Sequence, residues 1–317
     1  MPSSLSDAGP ALDTGDDITA RLAEVEAETA SLLEVHDEPL VAALRRRGVQ
    51  RAVPAAVGVA AAVAYARASW LARRPSRTRA VAWARAVLGP AAGEHDVRRL
   101  ARRHLIEWTV GSELGWRPWL GRGMRIDGIE HLDAALRAGR GAIVGLPHFG
   151  PQLHLIYALC ARGFKPYLVA PGGRRTGVLH GADGSWREFQ RRHRERGGCR
   201  SIWSGGAFPV ARHLLERGEL VVVAWDIRGT RDAELLGRPI HVRAGAAQLA
   251  AVTGAPLLPG LVWRERAKPR ARIGAPLEPA GDADSLLAAL VADLDRELPR
   301  RLPQAHPLMA KLFARPA

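Results

Sequence analysis

Only two of the 317 residues are cysteine, Cys160 and Cys199. They form no Cys-x-x-Cys pair and stand at no metal-ligand spacing from a histidine. A disulfide framework and a metal site are therefore excluded as organising features, and two free thiols in a reducing cytoplasm are expected. No secretory signal is expected either, because residues 1–17 are polar and acidic. The N-terminal region lacks a long apolar run: its longest charge-free stretch, Ala52 to Ala66, has 15 residues. A spanning helix needs roughly 20. With arginine at both ends and Trp70 just beyond, this stretch reads equally as a surface-lying membrane helix or a core helix. There is no Gly-x-Ser-x-Gly elbow, Walker A loop or His-Glu-x-x-His helix, and GGRRTG at 172–177 is too loose for a nucleotide fingerprint. No internal repeat is apparent.

What is present reads as globular, with 47% hydrophobic and 25% charged residues and length for one or two domains. The formal net charge is +14, carried by arginine far more than lysine. That excess favours anionic partners such as phosphate groups, anionic lipid surfaces or acidic carrier proteins. Nucleic acid ranks low among them, since no recognition motif accompanies the basic residues.

Residues 1–17 read as a disordered tail and 18–120 as a helical region, with helices over 18–47, 52–73, 77–88 and 95–108. From residue 121 to 317 strands and helices alternate. Apolar runs at 142–146, 166–170, 201–203, 220–225 and 257–263 predict strands. Helical patterns fall at 152–161, 185–196, 207–216, 244–252 and 284–299. This order predicts an α/β fold, a mostly parallel sheet flanked by helices. Pro151 suits the first position of a helix and Gly163 its end. His148 is thereby left in the turn between strand and helix.

Ligands of open α/β sheets sit at the carboxyl ends of the strands. The residues after the five predicted strands are His148, then Arg174 and Arg175, then Ser204 to Gly206, then Asp226 and Arg228, then Arg264. Polar and basic groups thus collect where a ligand belongs, although loops are polar in any case. His148 can act there as a general base. Taken alone, a histidine in such a turn more often caps a helix or bonds backbone, and that reading applies more strongly to His154, His180, His193 and His241. Asp226 can likewise be a helix cap or one half of a surface ion pair.

The stretch MRIDGIEHLDAALRAGRGAIVGLPHFGPQLHLIYALCARGFKPYLVA resembles bacterial acyltransferases of the lipid A biosynthesis (lauroyl/myristoyl) type. Phosphatidylinositol mannoside acyltransferases belong to the same group. The resemblance continues at LLERGELVVVAWDIRG and at LLGRPIHVRAGAAQLAAVTGAPLLPGLVWRE, where Arg238 lies in the Gly-Arg-Pro, and more loosely at residues 70–120 and QAHPLMAKLF. It covers about residues 70–312. It implies acyl transfer from an acyl thioester, acyl-CoA or acyl carrier protein, to a hydroxyl or amine of a lipid or glycolipid. No cofactor beyond that donor is implied. It further implies a cytoplasmic enzyme, peripheral on the inner face of the membrane.

In that family a histidine is the general base, followed after four residues by an acid. His148 matches the base, but the acid's place holds Leu153. Leucine can neither orient an imidazole nor balance its charge. Three arrangements stay open: Asp226 supplies the carboxylate from another strand; Gln152 orients the ring through its amide oxygen; or the site is degenerate and only binds an acyl chain or carrier protein. His148 and Asp226 are thus the candidate catalytic pair, with Gln152, Arg174, Arg175, Arg228, Arg238 and Arg264 as candidate substrate contacts.

Overall fold

The computed structural model describes residues 52–170, 194, 196–203, 206–277 and 282–314. The expected tail, the helix at 18–47 and most of the helix at 185–196 lie outside the described residues. Three helices come first: α1 (Ala55–Ala72), α2 (Arg74–Leu88) and α3 (Glu94–Gly115). α3 runs past its expected end at Trp108 because Val110 and Leu114 pack with Ala62 of α1, so the pattern of buried residues continues.

The rest is β1 (Arg125–Asp127), α4 (Ile129–Arg137), β2 (Ala142–Gly145), α5 (Leu153–Ala161), β3 (Tyr167–Ala170), β4 (Arg200–Trp203), α6 (Ala207–Glu216) and β5 (Leu220–Val223). Then come β6 (Arg228–Leu235), β7 (Arg238–Val242), α7 (Gly245–Thr253), β8 (Leu257–Glu265), β9 (Lys268–Ile273), α8 (Ala283–Arg301) and α9 (Met309–Leu312). The seven-stranded sheet has the order β1-β9-β8-β2-β5-β3-β4. Its ladders are parallel except where β8 meets β9. The expected α/β architecture is what the chain adopts.

Side chains of a strand alternate between faces, and the two cores follow that alternation. Ile143, Val221, Val223, Leu257 and Leu261 face a core shared with α1, α2, α3, α7 and α8. Ala142, Val144, Leu220, Val222 and Leu258 face the other, closed by α4 and α5. Because both faces are covered, the central strands are uninterrupted apolar runs. This is why they are readable in the sequence. α8 is started by Asp282, whose carboxylate accepts from the Ser285 N–H at 2.8 Å, an ordinary N-cap.

Two local expectations need correction. α5 starts at Leu153, two residues beyond Pro151, because Gly150 and Pro151 are bent to carry the chain past β8. The β6–β7 hairpin was not anticipated. Its two turn residues, Leu236 and Gly237, both have positive φ, 55° and 67°. Such a turn normally advertises itself with Asn-Gly or Asp-Gly. Leucine hides the signal, and the Asp295 carboxylate of α8 accepts the Leu236 N–H at 2.9 Å and holds the turn.

Gly150 has φ 52°, and a Cβ there would lie 2.6 Å from the Val262 carbonyl oxygen. Gly163 has φ 91° but open space around it. Gly150→Ala should therefore lower stability by about 2–4 kcal/mol, against about 1 kcal/mol for Gly163→Ala, in denaturant unfolding. Equal losses would show that the Val262 contact yields without cost.

Candidate active site

β2 and β5 are parallel neighbours in register, with Gly145 opposite Val223. His148 and Asp226 each lie three residues beyond that matched pair, so equal offsets bring the two side chains to the same point at the sheet's carboxyl edge. The Leu146 N–H donating to the Val223 carbonyl at 2.9 Å carries the pairing one step further. Between them, Trp225 is packed into the core at 1% exposure and anchors the turn that delivers Asp226.

The contact is twofold. His148 Nδ1 stands 2.8 Å from Asp226 Oδ1, and the His148 backbone N–H donates to Oδ2 at 2.7 Å. The carboxylate is 1% exposed and the imidazole 23% exposed. A buried carboxylate is tolerated only with such partners. With Nδ1–H donating to the acid, Nε2 is left as the basic nitrogen. Burial disfavours the imidazolium, but the Asp226 charge and hydrogen bond outweigh it and raise the His148 pKa above the ordinary histidine value.

Of the three arrangements open in the sequence, the structure has Asp226 against the ring. Gln152 occupies the N-cap position of α5 and makes no hydrogen bond to His148. Leu153 packs against the α4–α5 core, which explains what the position does in place of an acid.

The second partner of the turn is the segment Gln304–His306, which sequence reasoning did not single out. The Gly150 N–H donates to the Gln304 carbonyl at 3.0 Å, Phe149 pairs with Ala305, and the His306 N–H donates to the His148 carbonyl at 3.2 Å. His306 is thereby set with its ring centroid 5.5 Å from that of His148, edge-on to Trp108 at 4.7 Å. Its Nδ1 accepts the Leu308 N–H at 3.1 Å. Burial, then His148 and His104, hold its pKa well below the ordinary value. The ring is neutral with its proton on Nε2, and that N–H has no acceptor among the described residues. The available signal was the His-Pro within QAHPLMAKLF, a stretch where the family resemblance is loose.

The arginines separate. Arg264 grips Glu107 of α3 with Nε at 3.0 Å and with Nη2, while its backbone is clasped by the Gln304 side chain on both sides, at 2.8 and 3.1 Å. It therefore braces the Gln304–His306 segment at the rim of the site. Arg228 opens β6 two residues beyond Asp226 and is half-buried. Arg238 is not brought to the site. Its guanidinium donates to the Ala86 and Val87 carbonyls at 2.6 and 2.8 Å, closing the end of α2, and lies 4.4 Å over the Phe313 ring. Arg174 and Arg175 lie outside the described residues. His154 is structural, as expected: its ring lies 3.1 Å from the Pro151 and Arg117 carbonyls, and burial lowers its pKa to about 4. His241, reaching Asp232 at 2.7 Å, joins the two strands of the hairpin.

Among the described residues no group of histidine, cysteine and acidic side chains could hold a metal ion. The Gln152 and Leu153 backbone N–H groups at the start of α5 have no acceptor among the described residues; with the His306 Nε2–H they make three unpaired donors, two of them four and five residues beyond His148 and the third on a ring whose centroid is 5.5 Å from that of His148. A base with a carboxylate behind it and anion-stabilising donors beside it suit proton removal from a nucleophile that attacks a carbonyl.

No family model matches the chain. It is 32% identical over 158 residues to the phosphatidylinositol mannoside acyltransferase of Mycobacterium tuberculosis, in both strain CDC 1551 / Oshkosh and strain ATCC 25618 / H37Rv. The match covers 44% of this chain and 44% of each relative, so the chain spans less than half the length of the curated relatives it matches. The resemblance to phosphatidylinositol mannoside acyltransferases read from the sequence is thus borne out by curated relatives.

Arg238→Ala should cost about 1–3 kcal/mol of stability through the lost carbonyl bonds and ring contact, read in thermal or denaturant unfolding. The His148 ring resonances in NMR should stay in place. A shift of those resonances, with stability intact, would instead assign Arg238 to the site.

Proposed function

We propose that the chain is an acyltransferase that moves a fatty acyl group from an acyl thioester, acyl-CoA or acyl carrier protein, to a hydroxyl or amine of a lipid or glycolipid. The observation that carries this reading is the 2.8 Å contact between His148 Nδ1 and the buried Asp226 carboxylate at the sheet's carboxyl edge. Similarity to proteins named phosphatidylinositol mannoside acyltransferase supports the reaction class.

The chemistry follows from the protons. His148 Nε2 takes the proton of the acceptor hydroxyl or amine while the acceptor atom attacks the thioester carbonyl carbon. Asp226 holds the ring in the productive tautomer and stabilises the imidazolium, the part that a carboxylate plays behind a catalytic histidine generally. Negative charge develops on the carbonyl oxygen and is met by the His306 Nε2–H and the N–H groups opening α5. The C–S bond then breaks, and the imidazolium returns its proton to the leaving thiolate. His306, uncharged throughout, donates a hydrogen bond and takes no proton.

The same reading places the protein in the cytoplasm, peripheral on the inner face of the membrane. α1 is the one helix among the described residues long and apolar enough, by length and composition, to cross a membrane. Its inner side is packed against α3 through Gly58 and Ala62, while Val57, Ala60, Ala64 and Leu71 face outward, Leu71 at 79% exposure. An apolar outward stripe on a packed helix suits contact with a bilayer surface better than a span.

The test is acyl transfer from palmitoyl-CoA and from palmitoyl carrier protein to a panel of lipid, glycolipid and amine acceptors. His148→Ala should lower turnover by about 10³-fold or more. His306→Ala should lower kcat by about 10²-fold with the donor KM held, and His306→Gln, which keeps an N–H, should recover part of it. No His148-dependent transfer to any acceptor would favour the binding-only reading. An unaffected His306→Ala would remove that residue from oxyanion stabilisation.

A further inference from the structure

On the face of α3 turned away from Trp108, the three N-terminal helices enclose a groove of about 830 Å³ that the proposed chemistry does not use. Six arginines line it, Arg67, Arg77, Arg98, Arg99, Arg102 and Arg103, against a single acid, Glu94. Trp70, Val81 and Ile106 give it an apolar floor. Arg77 is turned inward onto the Trp70 and Leu71 carbonyls. Arg98 and Arg99 pair with Glu94 and Asp96 within their own helix, at 2.9 Å each and more than 60% exposed. Arg67, Arg102 and Arg103 have no acidic partner among the described residues. Like charges gathered around an apolar strip repel one another, so the groove has the chemistry of a site for an acidic, amphipathic occupant.

The chain carries such a segment. Residues 1–44 contain ten of its 32 acidic residues and one of its 46 basic ones. On helical spacing Ile18, Leu22, Val25 and Leu32 fall on one apolar stripe, with the uncharged Thr29 in the same line. Glu26 flanks that stripe on one side, and Glu24 and Glu28 flank it on the other. The tether also permits it. From Ala52, where the chain is held through the Val53 carbonyl by Arg117, to Arg67 is about 22 Å at helical rise, and the seven residues 45–51 reach about 23 Å when extended. Attachment on a short linker gives the segment an effective concentration in the millimolar range, on the order of what weak surface ion pairs need.

We propose that the acidic segment 18–44 of this chain occupies the arginine groove between α1, α2 and α3, its apolar stripe on Trp70, Val81 and Ile106 and its glutamates toward Arg99, Arg102 and Arg103. This occupancy shields the basic face beside α1 from other anionic surfaces. It does not depend on the acyl-transfer reading.

Hydrogen exchange on the full chain tests it. In low salt, residues 18–34 and the first half of α3 should both be protected. The triple variant Glu24→Gln, Glu26→Gln, Glu28→Gln should expose both together, with exchange about ten-fold faster. Arg99→Glu with Arg102→Glu should do the same. Combining that pair with Glu26→Arg and Glu28→Arg should restore protection, which a merely misfolded variant would not do. Unchanged exchange of α3 in the glutamine variant would overturn the proposal. So would α3 protection that appears only on adding phosphatidylglycerol vesicles, which assigns the groove to a bilayer. Protection that rises with protein concentration would assign it to a second copy, with the same consequence.

Discussion

A carboxylate with almost no access to water is the constraint around which the candidate site is built. A carboxylate buried in that position needs hydrogen-bond donors, and Asp226 has two from one residue, the backbone N–H and the ring N–H of His148. The backbone bond secures the turn and the ring bond orients the imidazole. Losing His148's ring would remove one donor and leave the other, so the turn and the chemistry are separable through the same acid. The requirement also reaches back into the fold: the two residues meet only because β2 and β5 are in register with equal offsets to His148 and Asp226.

A second layer braces the same turn from the opposite side. The Gln304–His306 segment bonds to Gly150 and His148, and is held in turn by Arg264, itself locked on Glu107 of α3. His104 of the same helix stacks on Trp83 at 3.5 Å and sits 3.2 Å from the Pro303 carbonyl just upstream. The N-terminal helices therefore support the segment that presents His306. A neutral imidazole with its proton on the far nitrogen is useful beside a base, because it offers a hydrogen bond without competing for the proton.

Much of this was legible in the sequence, and the reasons are local. Central strands buried on both faces are unbroken apolar runs, so β2, β5 and β8 show themselves, and α6 falls on the predicted residues. His148 and Asp226 were readable as residues that follow strands. Their contact was one of three arrangements left open, because strand order and register are long-range properties: β5, which pairs with β2, is farther along the sequence than β3. The hairpin escaped because Leu236 stands where a turn residue is expected. Arg238 could not be placed from its motif, because an arginine there is indistinguishable, in sequence, from one that closes a helix end, which is where its guanidinium bonds. His306 escaped because nothing adjacent in the chain reports that it pairs with a turn far upstream.

The acid side of the pH dependence of kcat/KM for acyl transfer tests the dyad most directly. Since the base must be unprotonated and Asp226 raises its pKa, the rate should fall as pH drops through a value above that of an ordinary histidine. In Asp226→Asn the plateau should drop by about 10²–10⁴-fold. The acid limb should also move to lower pH, because burial is then left unopposed. An acid limb that stays in place in Asp226→Asn would contradict the account, since His148 would then be titrating without reference to the carboxylate beside it.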